Sequence, residues 1–503
     1  MNYSLIALLV VVCSAIIFRI QCETNAPKLI LISFDGFRAD YVKPELTPNL
    51  YNLSKQGVTG KMKSLFVTKT FPNHFSIVTG LYEETHGIVG NEMYDPQFNE
   101  TFEWSNTQSK WWDNGFSLPI WIANELQNDG KSRFSGSDMW PGSSARIRKR
   151  LPHYLQKFDR KLDWQKRIDT VLSWMTDASE PANFISIYFN EPDQTAHHHG
   201  PFSPETLHQV SRCDKIIGYL ILKLREHKLL NIVNFIILSD HGMAKVMPKN
   251  IIELNKFLSP ELYLMSGTSP VHNILPKNGS EELVFSILKN ASLHNHFNVY
   301  KREEVPFEYH YRHNRRILSI VIVGDEGWEI VDKIPSHWNL STSWGNHGYN
   351  NSLLSMRPLF IAKGPAFKSN YVHELEFENI DLYPLMCFVL HLFPLKRFAS
   401  NGSFERVFQM LVPVTFHRTV TSSEKIFVVI FAIGSGFLFT FLGGLCLVVC
   451  LTFGKKKPRV FIELDGEINC IEKEAYFNNK KEKDAKTSLE ETVLLLDSDC
   501  DEV

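Results

Sequence analysis

The sequence predicts an α/β fold built on an open, mostly parallel sheet, and three observations lead there. Three short apolar runs each end on acidic residues: KLILISFDG at Asp35, NFISIYFNEPD at Asp193, and VNFIILSDHG at Asp240 and His241. Continuous apolar runs of this length are what parallel strands buried on both faces look like. These runs alternate with amphipathic helical stretches, the α/β signature. In ETLHQVSRCDKIIGYLILKLREHKL, Val210, Ile217, Leu220 and Leu224 keep helical spacing on one face; in LDWQKRIDTVLSWM, Asp163 is placed as the N-cap. The alternation continues to about Leu411 without a repeat or a low-complexity linker, as expected of one large domain over residues 23–411.

The ends of the chain read differently. Leu5 to Phe18 is an apolar run followed by Arg19 and Cys22, too short for a comfortable membrane span. It reads as a signal peptide over residues 1–22, cleaved near Cys22 or at Ala15. A retained signal anchor is the other reading. Residues 412–425 form a short stalk. Residues 426–453 are apolar and exceed the roughly 20 residues a bilayer crossing needs. Lys455, Lys456, Lys457 and Arg459 follow, which sets that end in the cytoplasm. The expectation is a single-pass type I membrane protein with its large domain extracellular or lumenal. Sequons at Asn52, Asn99, Asn278, Asn290, Asn339, Asn350 and Asn401 agree with it, Asn350 lying beside His347. The tail over residues 454–503 is charged and carries Glu491, Leu495 and Leu496 in an acidic dileucine pattern, which sorting adaptors bind as a short extended peptide.

Composition narrows the partners. The chain has 503 residues, 44% of them hydrophobic, with 53 Lys+Arg against 55 Asp+Glu. That balance argues against a nucleic-acid polymer as partner. Only Cys213 and Cys387 lie between the leader and the span, so this is no disulfide scaffold. Two buried thiols or a single bridge both remain open at this level.

In an open α/β sheet, ligands gather beyond the carboxyl ends of the strands. Asp35, Asp193, Asp240 and His241 would therefore reach one edge together. His197 in DQTAHHHG and His347 in GNHGYNN follow two further such points. Three carboxylates and three imidazoles are a donor set for two transition-metal ions. Each motif alone is weak, since an Asp-Gly after a strand is usually a turn. Their joint placement carries the argument. In VTKTFPNHFSIVTG, Pro72 suits a first helical turn and Gly80 a helix stop, so Thr70 stands just before a helix N-terminus. Backbone N–H groups favour an anion there. Threonine attacks only when a base or metal activates it, and a plain helix cap is its other reading.

The pieces SFDGFRADY, FVTKTFPNHFSIVTGLYEETHGIVGNEMYDP, MWPG, EPDQTAHHHG, SDHGM and GNHGYNN, in this order, resemble the ectonucleotide pyrophosphatase/phosphodiesterases of the alkaline phosphatase superfamily. The single-domain layout is most similar to the smaller members. The resemblance implies an alkaline-phosphatase-like fold with helices on both faces of the sheet, and two zinc ions (Zn2+) per chain. Asp35, Thr70, Asp240 and His241 match the ligands of one ion; Asp193, His197 and His347 match those of the other. Asn91 matches the residue that holds a phosphoryl oxygen beside the Thr70 N–H, although alone it would read as a turn residue after Gly90. Phe71 and Phe158 match positions that stack a base. Attack by Thr70, a phospho-threonine intermediate and release of a nucleoside 5′-monophosphate are then expected. The favoured substrate is a dinucleotide such as NAD or a dinucleoside polyphosphate. Ser144 departs from the family, where an aspartate is common, and that leaves purine selectivity unsupported. A sulfatase would need a C-x-P-x-R stretch, which is absent. A phosphomonoesterase would need an additional arginine, for which only Arg38 is left open. A choline-phosphate or lysophospholipid diesterase is a nearer rival, because aromatic cages bind quaternary ammonium. A catalytically quiet adhesion or receptor ectodomain is the rival from another class.

Overall fold

The computed structural model describes residues 26–413 except 278, 337, 339 and 394–399, together with residues 462–464 and 467–469. The expected leader and span, the Glu491, Leu495 and Leu496 pattern, and the sequons at Asn278 and Asn339 lie outside the described residues. No helix among the described residues is long and apolar enough to cross a membrane. Two compact units are distinguished, residues 1–412 and 413–503. The second shows a two-stranded antiparallel pair, Ile462–Leu464 with Glu467–Asn469.

The first unit is organised by one sheet of eight strands. In chain order its strands are β1 Lys28–Phe34, β2 Val58–Lys63, β3 Phe134–Asp138, β4 Tyr154–Gln156, β5 Ala182–Phe189, β6 Val233–Leu238, β7 Phe360–Lys363 and β8 Tyr371–Glu378. Their spatial order is β8-β2-β7-β6-β1-β5-β3-β4. β1 pairs in parallel with both β5 and β6, and β7 alone runs antiparallel to its neighbours. The strands predicted before Asp35, Asp193 and Asp240 are thus the three adjacent central ones. Every residue of β5 and β6 is buried, which is why they read as unbroken apolar runs.

Alternation along β1 separates two cores. Leu29 and Leu31 face one layer, which includes helices α1 Thr70–Thr79 and α2 Leu382–Val389. Ile30 and Ile32 face the other, against helices α3 Trp164–Met175 and α4 Pro204–Glu226. Val210, Ile217, Leu220 and Leu224 of α4 are all buried there, each contributing roughly 1.5–3 kcal/mol by leaving water. Asp163 caps α3, its side chain accepting from the Lys166 N–H at 3.0 Å. Cys213 and Cys387 are free, buried thiols in opposite cores, so the bridge left open by the sequence is not made. A separate four-stranded antiparallel sheet (Tyr263–Ser266, Val271–Pro276, Phe297–Lys301 and Ile320–Gly324) packs on the helix Glu281–Ser292 around its own core.

Candidate active site

The site lies past the carboxyl ends of β1, β5 and β6. Asp35 follows β1, and its N–H donates to Phe189 O at the end of β5 (2.9 Å). The Asp193 N–H donates to Asp35 O at 3.1 Å, which ties the two strand ends together. Gly36 makes this approach possible. Its φ is +65°, and a Cβ there would sit 2.9 Å from Asp193 Cβ. Asp193 begins a short helix, Asp193–His199, that places His197 four residues on and over the same face. His347 follows the strand Trp344–Asn346, which pairs with Ala244–Val246 just beyond His241.

These residues form two groups, Asp35–Asp240–His241 and Asp193–His197–His347, whose ligand-capable atoms lie within 4.8 Å of one another in each group. His241 Nε2 is 3.0 Å from Asp240 Oδ2 and 3.4 Å from Asp35 Oδ1. His197 and His347 Nε2 each lie 3.4 Å from an Asp193 oxygen, and 3.1 Å from each other.

The other ring nitrogen of each histidine decides what these distances mean. Nδ1 donates to a backbone carbonyl in all three: Gly345 O at 2.9 Å for His197, Gly242 O at 2.8 Å for His241, and Thr68 O at 2.7 Å for His347. With Nδ1 as the donor, each ring turns Nε2 into the site, where the neutral tautomer offers a lone pair. Two lone pairs 3.1 Å apart, beside carboxylates, need a cation between them. Asp35 Oδ1, Asp193 Oδ1 and Asp240 Oδ2 are buried without a hydrogen-bond partner among the described residues. A donor set of imidazole nitrogens and carboxylate oxygens, with its lone pairs unspent, fits zinc.

The electrostatics agree with an acidic, dry cluster. Burial pushes the Asp35 carboxyl well above its usual range, and the charges of Asp240 and Asp193 add to the rise. Burial also lowers His347 well below the ordinary imidazole value, with His241 and Lys69 adding to the fall. For His241, burial works downward, but the adjacent Asp240 carboxylate prevails and holds it above the usual value.

Thr70 is the first residue of α1, one position further in than expected, with Lys69 as the N-cap. Its hydroxyl lies 3.4 Å from His241 Nε2. Pro72 falls in the first turn, and Gly80 ends the helix in the left-handed conformation at φ +68°. Asn91 is held by the Phe71 N–H, which donates to its Oδ1 at 2.9 Å. Asp35, Thr70, Phe71, Asn91, Ser144 and Phe158 line one cleft of about 660 Å³. Phe71 leans on Phe102 and Trp112 (centroids 6.3 and 6.0 Å), whereas Phe158 is exposed at the rim. Arg38 is committed elsewhere: it forks onto Asp40 and donates to Met243 O at 2.6 Å.

Four neighbours escaped the sequence reading. The Tyr188 hydroxyl donates to Asp35 Oδ2 at 2.5 Å. His74 Nδ1 donates to Thr70 O, and its Nε2 accepts from Ser33, both at 2.8 Å. Trp104 faces Phe158 at 6.3 Å across the cleft mouth. Lys69 is buried beside the nucleophile candidate. His74 carried a signal, four residues after Thr70 on the same helical face; Trp104 lies in a loop and carried none.

The sequons differ in access. Asn52, Asn99, Asn290 and Asn401 are exposed, and Asn350 is half-buried.

Comparison with known proteins agrees with this geometry. The family model described as type I phosphodiesterase/nucleotide pyrophosphatase matches residues 29–350. The chain is similar to the Homo sapiens bis(5′-adenosyl)-triphosphatase ENPP4, 39% identical over 450 residues covering 89% of this chain and 94% of that one. It is also similar to Homo sapiens ectonucleotide pyrophosphatase/phosphodiesterase family member 5, 40% identical over 393 residues, 77% and 79% of the two chains. Among solved structures, murine family member 5, in an inactive threonine-to-alanine form in complex with AMP, aligns with a TM-score of 0.70 at 39% identity, over 77% of this chain and all of that one. With its strand-end ligand groups, its threonine at a helix start and a family match over most of the folded unit, the chain belongs to the type I phosphodiesterase/nucleotide pyrophosphatase family.

Proposed function

We propose that this protein is a two-zinc phosphodiesterase that cleaves the pyrophosphate link of dinucleotides, dinucleoside polyphosphates or NAD, through a phospho-threonine intermediate. The observation that carries the reading is Thr70, at a helix start 3.4 Å from His241, opening into a cleft with aromatic walls. Asp35, Thr70, Asp240 and His241 would hold one ion, and Asp193, His197 and His347 the other. Bound zinc supplies Lewis acidity, which makes a hydroxyl acidic and neutralises phosphoryl charge.

The chain's own residues do the rest. A base slots between Phe71 and Phe158, because every base has a stacking face. Asn91 and the Thr70 N–H donate to a phosphoryl oxygen where negative charge builds. Thr70 Oγ1 gives its proton to solvent water and bonds to phosphorus. The bond from phosphorus to the bridging oxygen breaks, and the second nucleotide leaves with that electron pair. Water then bonds to phosphorus, the bond to Thr70 breaks, and a proton returns to the hydroxyl. Tyr188 keeps its proton, since burial and the neighbouring Asp35 push it well up, and it holds Asp35 in place.

Placement outside the cell or in a lumen is part of the reading. The apolar leader, the run over residues 426–453 with its following basic cluster, and the exposed sequons support it. The Glu491–Leu495–Leu496 pattern then faces cytoplasmic sorting adaptors. Purified protein given diadenosine triphosphate and NAD, with products identified by mass spectrometry, tests the activity. The expected product is AMP; turnover of choline-phosphate esters alone would replace this reading with the rival one.

A further inference from the structure

Two clefts meet at the ligand cluster, and the reaction above uses one. The second, of about 840 Å³, shares Asn91, His197 and His198 with the first but opens on His347 and not on Thr70 or Asp35. In an in-line displacement the leaving oxygen departs opposite the attacking one. Thr70 sits against the His241 group, so a cleft opening on the His197–His347 group faces the departure side.

The walls of this cleft suit a flat aromatic group. The rings of Trp338 and Trp344 lie 5.8 Å apart at 67°, with Ile330 and Pro335 beside them in the lining. Trp344 is fixed, its Nε1 donating to Glu329 Oε1 at 2.9 Å. The same oxygen accepts from Asn346 Nδ2 at 2.8 Å, which locks the strand leading to His347. Lys69 also lines the cleft. Its Nζ donates to Ser269 O at 2.7 Å and lies 3.4 Å from Asn346 Oδ1. An ammonium has three N–H donors, so one is left for a ligand oxygen. Gly348 makes room for its stem, since a Cβ there would come within 2.6 Å of Lys69 Cε.

We propose that this second cleft is the leaving-group subsite, taking the departing nucleoside phosphate in the corner made by Trp338 and Trp344, stacked on one indole, with the Lys69 ammonium against its phosphate. The inference rests on the dinucleotide reading above. It is tested on the full chain with two substrates that share the adenylyl group. Diadenosine triphosphate releases ADP; adenosine 5′-(2,2,2-trifluoroethyl phosphate) releases trifluoroethanol, which has neither a ring to stack nor a phosphate. The readout is the ratio of the two kcat/KM values. Trp338→Ala should lower this ratio about tenfold, the scale of one lost stacking contact. Trp344→Phe keeps a stacking face but loses the Glu329 bond, and should lower it less. Lys69→Met should lower it too. Variants that lose both activities in parallel, or neither, overturn the subsite alone. A wild-type protein inert to both substrates overturns the nucleotide reading, and the subsite with it.

Discussion

Thr70 and the three histidines work through the groups behind them. The Thr70 carbonyl is held by His74, which reaches Ser33 of β1 on its other side, so the start of α1 is pinned to the sheet. Thr70→Ala should abolish turnover, by about 10³-fold or more, while bound metal and melting temperature stay near wild type. Thr70→Ser should keep part of the rate because it keeps the hydroxyl. Wild-type rates in the alanine variant would end the covalent mechanism. The metal should number about two ions per chain by elemental analysis, and Asp193→Ala should bring this to about one. Chelation should lower the melting temperature, since the three preset Nε2 lone pairs and the buried carboxylates are then left facing one another. An unchanged melting curve would contradict that. All six residues of the two groups were legible in the sequence because each follows an apolar run or a short motif at a strand end. Tyr188 and Trp104 were not, because their relation to the site exists only across the fold; Lys69 precedes Thr70 in the chain, but nothing local shows its contacts with Ser269 and Asn346.

At the scale of elements, the helices carried their own boundaries. The stretch read as Glu205 to Leu229 folds as Pro204–Glu226, started by Ser203, whose side chain accepts from the Thr206 N–H. The four-stranded sheet of the 263–324 region was not legible. Its strands are short, and antiparallel pairing between distant segments leaves no periodicity that names the partner. This region is stapled to the rest through Asp95, fully buried, which accepts from Arg315 at 2.7 Å and Arg316 at 2.8 Å. Burial alone would raise its pKa, but the two guanidinium hydrogen bonds prevail and depress it to about 2. A depressed folded value means stability present above the unfolded value, near 3.9, and lost as pH falls through about 2. The contribution is on the order of 2–3 kcal/mol. Asp95→Asn should therefore flatten the acid limb of the stability curve between pH 4 and 2 in urea titrations. Asp95→Ala should cost roughly 3 kcal/mol, because it strands the buried Arg316 charge. An acid limb in Asp95→Asn identical to wild type would remove Asp95 from the account.

For the molecule as a whole, the sequence named the class of sheet but not its strand order. The antiparallel β7 between β2 and β6 has no counterpart in any local pattern. Topology across a membrane is the reverse case, an expectation drawn only from the sequence at both ends of the chain. Expressed in animal cells, the protein should shift on gels after glycosidase treatment, through sites such as Asn52 and Asn290; an unshifted cytosolic product would refute that orientation. The cleft that opens on Thr70 has a further kinetic meaning. On the proposed covalent route, the leaving-group side stands open to solvent once the departing nucleotide has gone, while the other half of the substrate is still tethered. Any small alcohol that diffuses in competes with water as acceptor. Glycerol or methanol should therefore divert part of the flux into a new AMP ester, at constant total release of ADP. The partition ratio, measured by mass spectrometry against alcohol concentration, counts how often the tethered intermediate meets a guest before it meets water.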